Sequence, residues 1–222
     1  MRFTRRDFFY CAAPLALSAS TLILARKRGL SIISAAGAET AAAPDVNDPG
    51  PLPDRVLGLP SAPITIIEYA SMTCSHCAEF ARTTFPKLKT GLIDTGKVRY
   101  IAREFPLDDL AAAASMVIRS LPEERYYEVM DLLFREHGEW WSSSRIEPLM
   151  MLAVAKLGFS EDSFNACLGN RQLLDRISQA RERAGKLGVT STPTFFLNGE
   201  KLRFGYMTID QIEEQIKANL KS

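Results

Sequence analysis

The stretch EYASMTCSHCAEF, residues 68–80, sets two cysteines three positions apart at the end of a run that reads as a β-strand. The preceding Ile64-Thr65-Ile66-Ile67 is β-branched throughout, the composition of a buried strand. Cys74 then opens a helical stretch with Phe80, Phe85 and Leu88 as its apolar face and Pro86 as a kink or break. A cysteine at that junction meets unsatisfied helix N–H groups and the positive end of the helix dipole, both of which favour a thiolate. His76, one of two histidines in the chain, adds a donor and, when protonated, a positive charge near the sulfur. Cys77, one turn further in, is the more shielded of the pair. Cysteines at i and i+3 on a first helical turn approach disulfide geometry. A redox pair therefore has Cys74 as the attacking and attacked sulfur and Cys77 as the resolving one. A metal clamp and a pair of inert core thiols are the other readings. Zinc takes about four ligands, and beyond this motif and the N-terminal segment the chain offers only Cys167 and His137 as soft donors.

Outward from the motif, Lys97 to Phe105 carries a second strand pattern. From Pro106 to about Gly188 the pattern turns helical. Asp108 caps LAAAASMVIRSL, and Pro122-Glu123-Glu124 starts a helix with Tyr126, Met130 and Leu133 on one face. A further helix runs from Ser144 to Leu157 and stops at Gly158; Ser160 caps a short one reaching Cys167. Arg171 to Leu187 is amphipathic. Strand character returns at Thr194–Leu197, Asn198-Gly199 makes a two-residue hairpin turn, and KLRF is the return strand. Thr208 and Gln211 form a capping box for a last helix with Ile209, Ile212, Ile216 and Leu220 on one face. An early parallel crossover and a late antiparallel hairpin describe a small mixed sheet, and the long helical block between them is an inserted subdomain. Cys167 is expected as a small buried apolar residue, and His137 as a helix-end cap beside Trp140-Trp141. Met116, Met130, Met150 and Met151 are expected in the core.

The front of the chain reads as an address. MRFTRR is basic, Phe8 to Ala25 carries no charge, and Ala36-Gly37-Ala38 offers a small-residue cleavage site. TRRDFF resembles a twin-arginine export signal. Residues 1–38 are therefore expected to be an export signal that sends the body to the periplasm, or anchors it to the membrane if uncleaved. Residues 39–56, rich in Ala and Pro, are expected to be a linker, and the domain to occupy 57–222. Taking away the six basic residues and one acidic residue of the first 38 leaves 21 basic and 25 acidic, a net of −4. A mildly acidic body argues against nucleic acid as a partner.

On these residues the chain resembles the DsbA-like family of thiol–disulfide oxidoreductases. The resemblance covers roughly residues 57–221 and rests on EYASMTCSHC, on FPLDD after the second strand, and on TSTPTFFLNG. It implies an α/β, thioredoxin-like fold with an inserted all-helical subdomain at about 106–188. It implies a cis Pro193 lying against the Cys74–Cys77 pair, and Thr192 and Ser75 at the substrate. It also makes Glu68 the buried acid near the inner cysteine, able to shuttle the Cys77 proton. Without the resemblance, the alternative readings are a strand-end surface residue for Glu68 and a trans loop proline for Pro193. Ser75 stands where the best-known oxidases of the family carry proline, and a threonine at 192 occurs in isomerases and reductive members too. His76 points to an oxidant; Thr192 leaves the poise open. The short stretch ahead of the core lacks the dimerisation region that such isomerases carry, which favours a monomer. The implied protein is an exported enzyme without metal or cofactor that introduces disulfides into unfolded or reduced exported proteins. A membrane quinone-linked partner would reoxidise it. An isomerase or reductase using the same residues is the alternative, as is a redox-silent module that holds unfolded polypeptides on the helical insert.

Overall fold

The computed structural model describes residues 44–142 and 145–220. Among them, five strands form one mixed sheet: β1 (Arg55–Leu57), β2 (Ile64–Ala70), β3 (Val98–Glu104), β4 (Thr194–Leu197) and β5 (Glu200–Phe204). Their spatial order is β1-β3-β2-β4-β5. β2 and β3 run parallel, Ile64 beside Val98 through Ala70 beside Glu104. The β1–β3, β2–β4 and β4–β5 pairs are antiparallel. β2 is central, hydrogen-bonded on both edges and buried on both faces, which is why it reads as a continuous apolar run instead of alternating. Ile64, Ile66 and Ala70 join one core cluster on one face of the sheet. Ile67 and Tyr69 join a second on the other, with Phe196, Val189 and Ala184.

The β2–β3 crossover holds α1 (Ser75–Thr83) and a short α2 (Phe85–Leu88) with Pro86 in its first turn, where a missing N–H costs nothing. Phe80 and Leu88 are buried, whereas Phe85 is only partly so. Six helices lie between β3 and β4: α3 (Asp109–Ser120), α4 (Tyr126–Arg135), α5 (His137–Trp140), α6 (Ile146–Leu152), α7 (Glu161–Leu168) and α8 (Arg171–Lys186). The caps read from the sequence are formed. Asp108 accepts from Ala111 N–H, Ser160 closes a capping box with Ser163, and Thr208 does so with Gln211 at α9 (Ile209–Asn219). Gly158, at φ 84°, ends the α6 segment in the left-handed region that a side chain disfavours. Asn198 at φ 49° and Gly199 at φ 90° turn the β4–β5 hairpin, as a type I′ turn requires. The helical block shares one cluster with the sheet: Val129, Leu133 and Phe134 of α4 belong with Ile66 and Phe80. A buried ion pair adds direction to that apolar contact. Arg119 on α3 donates from Nε to Glu104 Oε1 at 2.5 Å, both side chains no more than 4% exposed, and Tyr126 Oη donates to the same oxygen at 2.9 Å.

Several expectations need correcting. The described part of the expected linker, 44–56, is a packed segment. Val46 and Leu52 are buried, Arg183 pairs with Asp48 at 2.8 Å, and Arg103 holds the Val46 carbonyl at 2.7 Å. Its last two residues, Arg55 and Val56, belong to β1, whose partner β3 supplies the hydrogen bonds that three residues of sequence cannot advertise. Leu220, at the end of the last helix's apolar stripe, and Met151, expected in the core, are both exposed. Residues 1–38, including Cys11, and Ser144 lie outside the described residues, so the export signal and that helix start are not seen; α6 itself begins at Ile146. No helix among the described residues is long and apolar enough to cross a membrane.

Arg119→Met should cost about 3–5 kcal/mol in urea unfolding, because it leaves the Glu104 charge buried and unpaired. Adding Glu104→Gln should recover more than half of that loss, since the stranded charge goes with it.

Candidate active site

Strand β2 ends at Ala70, and the four residues that follow turn the chain into α1. That turn is pinned from the far side by the start of the helical block. Phe105 N–H donates to the Ala70 carbonyl at 2.7 Å, Leu107 N–H to Ser71 Oγ at 3.3 Å, and Thr73 Oγ1 to Asp108 Oδ2 at 2.7 Å. Asp108 thus does two jobs, one oxygen capping α3 and the other holding the turn. This gives a physical reason for FPLDD to accompany the cysteine motif.

Cys74 is the N-cap of α1, and its sulfur accepts from Cys77 N–H at 3.4 Å. From the other side the Cys74 thiol reaches the Thr192 carbonyl at 3.3 Å. The Thr192–Pro193 peptide bond is cis, and both residues are buried. The sulfur at 74 is therefore less open than its place at a helix tip implies, with the residue 8% exposed; Cys77 is fully covered. Both are in the thiol state.

The two thiols are pushed in opposite directions. Cys74 is lowered to about 5: the Cys77 thiol donates to its anion, with the Thr192 hydroxyl and the N–H groups of Cys77 and His76 adding to the effect, against burial. Thr192 Oγ1 is buried and makes no hydrogen bond with the thiol form of Cys74, whose proton goes to the Thr192 carbonyl. Cys77 is raised, first by burial, then by its hydrogen bond to Cys74 and by the Glu68 and Cys74 charges. Glu68, on β2, is 3% exposed and accepts a hydrogen bond from Tyr100 Oη. Burial pushes its carboxyl up to about 8, with the Tyr100 donor holding it down and the Cys74 charge adding to the rise.

Cys74, Cys77, Glu68, Thr192 and Pro193 therefore lie at one place, while Ser75 sits exposed on the first turn of α1. His76 departs from expectation. Its side chain is exposed, and it is its backbone N–H that favours the Cys74 anion, since a side chain at that helical position points away from the N-cap sulfur. The second imidazole, His137, is the first residue of α5 and not a terminal cap. It is buried, stacked on Trp141 at 4.8 Å and edge-on to Trp140 at 6.0 Å. Burial lowers its pKa, while the Thr73 carbonyl and the Cys74 charge pull it back up. Tyr100, Thr73 and Asp108 are further site residues that the sequence reading did not single out for this role. Only the alternation of β3, which puts Tyr100 on the Glu68 face, carried a signal. Cys167 is buried as expected, its thiol donating to Ser120 Oγ at 3.2 Å.

The arrangement is one activated sulfur, one shielded sulfur and a carboxyl able to exchange a proton behind them. Comparison with known proteins points the same way. The thioredoxin family matches residues 52–218. The crystal structure of α-DsbA1 from Wolbachia pipientis is 36% identical, with a TM-score of 0.68 over 75% of this chain and 91% of that one. BdbD of Bacillus subtilis, 21% identical with a TM-score of 0.65 over 76% of this chain and 94% of that one, shares the fold. A Rickettsia conorii relative named as a protein-disulfide oxidoreductase is 28% identical over 76% of this chain and 61% of its own length. The chain spans about 60% of the length of the first such curated relatives.

In the reduced protein, absorbance at 240 nm should titrate with a midpoint near 5, vanish in Cys74→Ser, and move upward in Thr192→Val. The sign of the linked stability follows from a depressed thiol. Relative to Cys74→Ser, the reduced protein should be most favoured above pH ~9, lose that advantage as pH falls, and have none left below about 5. Denaturant midpoints across that range check it.

Proposed function

Because the chain belongs to the thioredoxin family, and within it resembles DsbA-like members, we propose that it is a thiol–disulfide oxidoreductase that donates disulfides through Cys74 and Cys77. The observation carrying this reading is the opposed behaviour of the two sulfurs, Cys74 lowered to about 5 and Cys77 raised. A substrate thiolate attacks Cys74 Sγ of the oxidised pair. The S–S bond breaks, its electrons go to Cys77, and a mixed disulfide forms. A second substrate thiolate then attacks the substrate sulfur of that mixed disulfide and expels Cys74, whose low pKa makes it a good leaving group. Two electrons end on the enzyme pair and one disulfide on the substrate. Cys77, a poor leaving group by itself, needs a proton as it departs. Glu68, at about 8, holds one at neutral pH and serves as the donor.

Direction follows from the same numbers. A thiolate with pKa near 5 stabilises the reduced pair at pH 7 by about 2 kcal/mol once screening at the partly accessible sulfur is discounted, roughly 40 mV toward oxidising potentials. The oxidant poise rests on N–H groups, a hydroxyl and the neighbouring thiol, not on the His76 imidazole. Substrates are reduced, unfolded chains that approach beside the cis Pro193 and the exposed Ser75. Exposed Leu107, close to the pinned turn, offers apolar contact. The basic, apolar front of the sequence supports export to an oxidising compartment, where a membrane-bound partner would restore the disulfide.

The potential of the Cys74–Cys77 pair against glutathione tests the proposal. An oxidase should stand well above the roughly −270 mV of thioredoxin, and a value at or below that figure overturns the donor reading. Cys74→Ser should lose oxidation of a reduced test protein by at least a hundredfold. A polypeptide binder with silent cysteines would keep its affinity unchanged in the same variant.

A further inference from the structure

Glu68 is the only carboxyl placed in the proposed exchange, and something must fix it. Its neighbours are specific. On β3, Tyr100 lies opposite Ile66 in the parallel pairing, two residue pairs along from Glu68 beside Ala102 and so on the same face. Its side chain faces the same cluster and is wholly buried. Tyr100 Oη donates to Glu68 Oε2. The ring is itself held, tilted at 5.0 Å against Phe85 and at 5.9 Å against Tyr127. Tyr127 Oη in turn donates to the Arg55 carbonyl at 2.6 Å and accepts from Ala102 N–H at 3.0 Å, so the aromatic pair is fastened to β1 and β3. On the remaining side Glu68 borders a cavity of about 10 Å³ lined also by Phe80, Tyr100, Met130, Asp131 and Phe134, room for about one water. The titratable groups facing Glu68 are therefore Tyr100 from β3, Cys74 and Cys77 from α1, and Tyr127 and Asp131 from α4.

We propose that Tyr100 is a positioning residue for the thiol chemistry, its hydroxyl holding the Glu68 carboxyl in the orientation from which a proton passes to and from Cys77. The inference rests on the oxidoreductase reading above. It adds to that reading a residue that touches neither sulfur. A buried carboxyl with a single fixed donor has one oxygen committed and the other available. Without the donor, the carboxyl is free to rotate toward the water-sized cavity and away from α1. The phenol also favours the carboxylate over the acid, because it donates and the anion is the better acceptor. Tyr100 therefore governs both where the proton sits and how readily it leaves. In the donor direction the balance is simple. The Glu68 O–H bond breaks, the proton goes to the departing Cys77 sulfur, and the resulting carboxylate is later reprotonated from solvent.

Tyr100→Phe removes one oxygen and keeps the ring packed on Phe85 and Tyr127, so the fold is retained. Two readouts decide the matter. Carbon-13 NMR titration of the Glu68 carboxyl in the reduced protein should give a midpoint near 8 in the wild type and about one unit higher in Tyr100→Phe. The pH profile of disulfide transfer to a reduced peptide should carry the same inflection and the same shift, with transfer at pH 7 slowed about tenfold. Glu68→Gln should abolish the inflection, and Tyr100→Phe added to it should change the rate by less than twofold. An unmoved Glu68 midpoint in Tyr100→Phe overturns the proposal, and so does an equal slowing in the Glu68→Gln background. A wild type with no transfer at all would instead sink the oxidoreductase reading, while the NMR midpoint would still report on Tyr100.

Discussion

The site turns on one sulfur held at the tip of one helix. Cys74 caps α1, receiving N–H groups from within the helix, and is closed off on the far side by the Thr192 backbone. An anion there meets donors but little bulk water, so each hydrogen bond counts for more than it would on an open surface. The N–H donors among them belong to α1 itself, so they require no rearrangement when charge appears on the sulfur. The neighbour one turn inward has the opposite environment. Cys77 lies on the buried face of α1, near Glu68 and in the core, where charge is costly and a thiol is comfortable. Two chemically identical side chains thereby acquire different roles from three residues of separation.

The rest of the fold serves that asymmetry. Central β2 delivers the motif from a strand buried on both faces, so its end point is fixed by packing on either side. The first residues after β3 return to the same turn and tie it down through Ala70, Ser71 and Thr73. The inserted helices are not an appendage. α4 packs into the core cluster of the sheet, α3 carries the arginine that neutralises Glu104, and α5 brings a buried histidine to the back of the active turn. A block of that kind packs on α1 and brings a titratable group within reach of the Cys74 charge.

Much of this was legible from local pattern. The strand–CxxC–helix junction, the caps at Asp108, Ser160 and Thr208, and the Asn198-Gly199 hairpin each depend on contacts within a few residues, and each is formed. What escaped the sequence depends on distant partners. β1 is three residues long and exists because β3 lies beside it. The segment at 44–54 is ordered by Arg103, Arg119, Arg176 and Arg183, none near it in sequence. His76 looked decisive because it stands between the cysteines. Helical geometry points its ring outward and leaves only its amide on the sulfur.

The sequence by itself determined the elements and the place of the two cysteines on the first helical turn, because helix caps, turns and i,i+3 spacing are set by neighbours along the chain. It also placed Glu68 behind the cysteines through the resemblance, though not what holds it. Only the tertiary structure decided which groups surround the two sulfurs and the carboxyl behind them. Thr192 arrives from 118 positions away, Tyr100 from the adjacent strand, and His137 from the helical block. Charge on a buried sulfur responds to whatever lies within a few ångströms, and in a parallel sheet with a long insertion those neighbours are far apart in sequence.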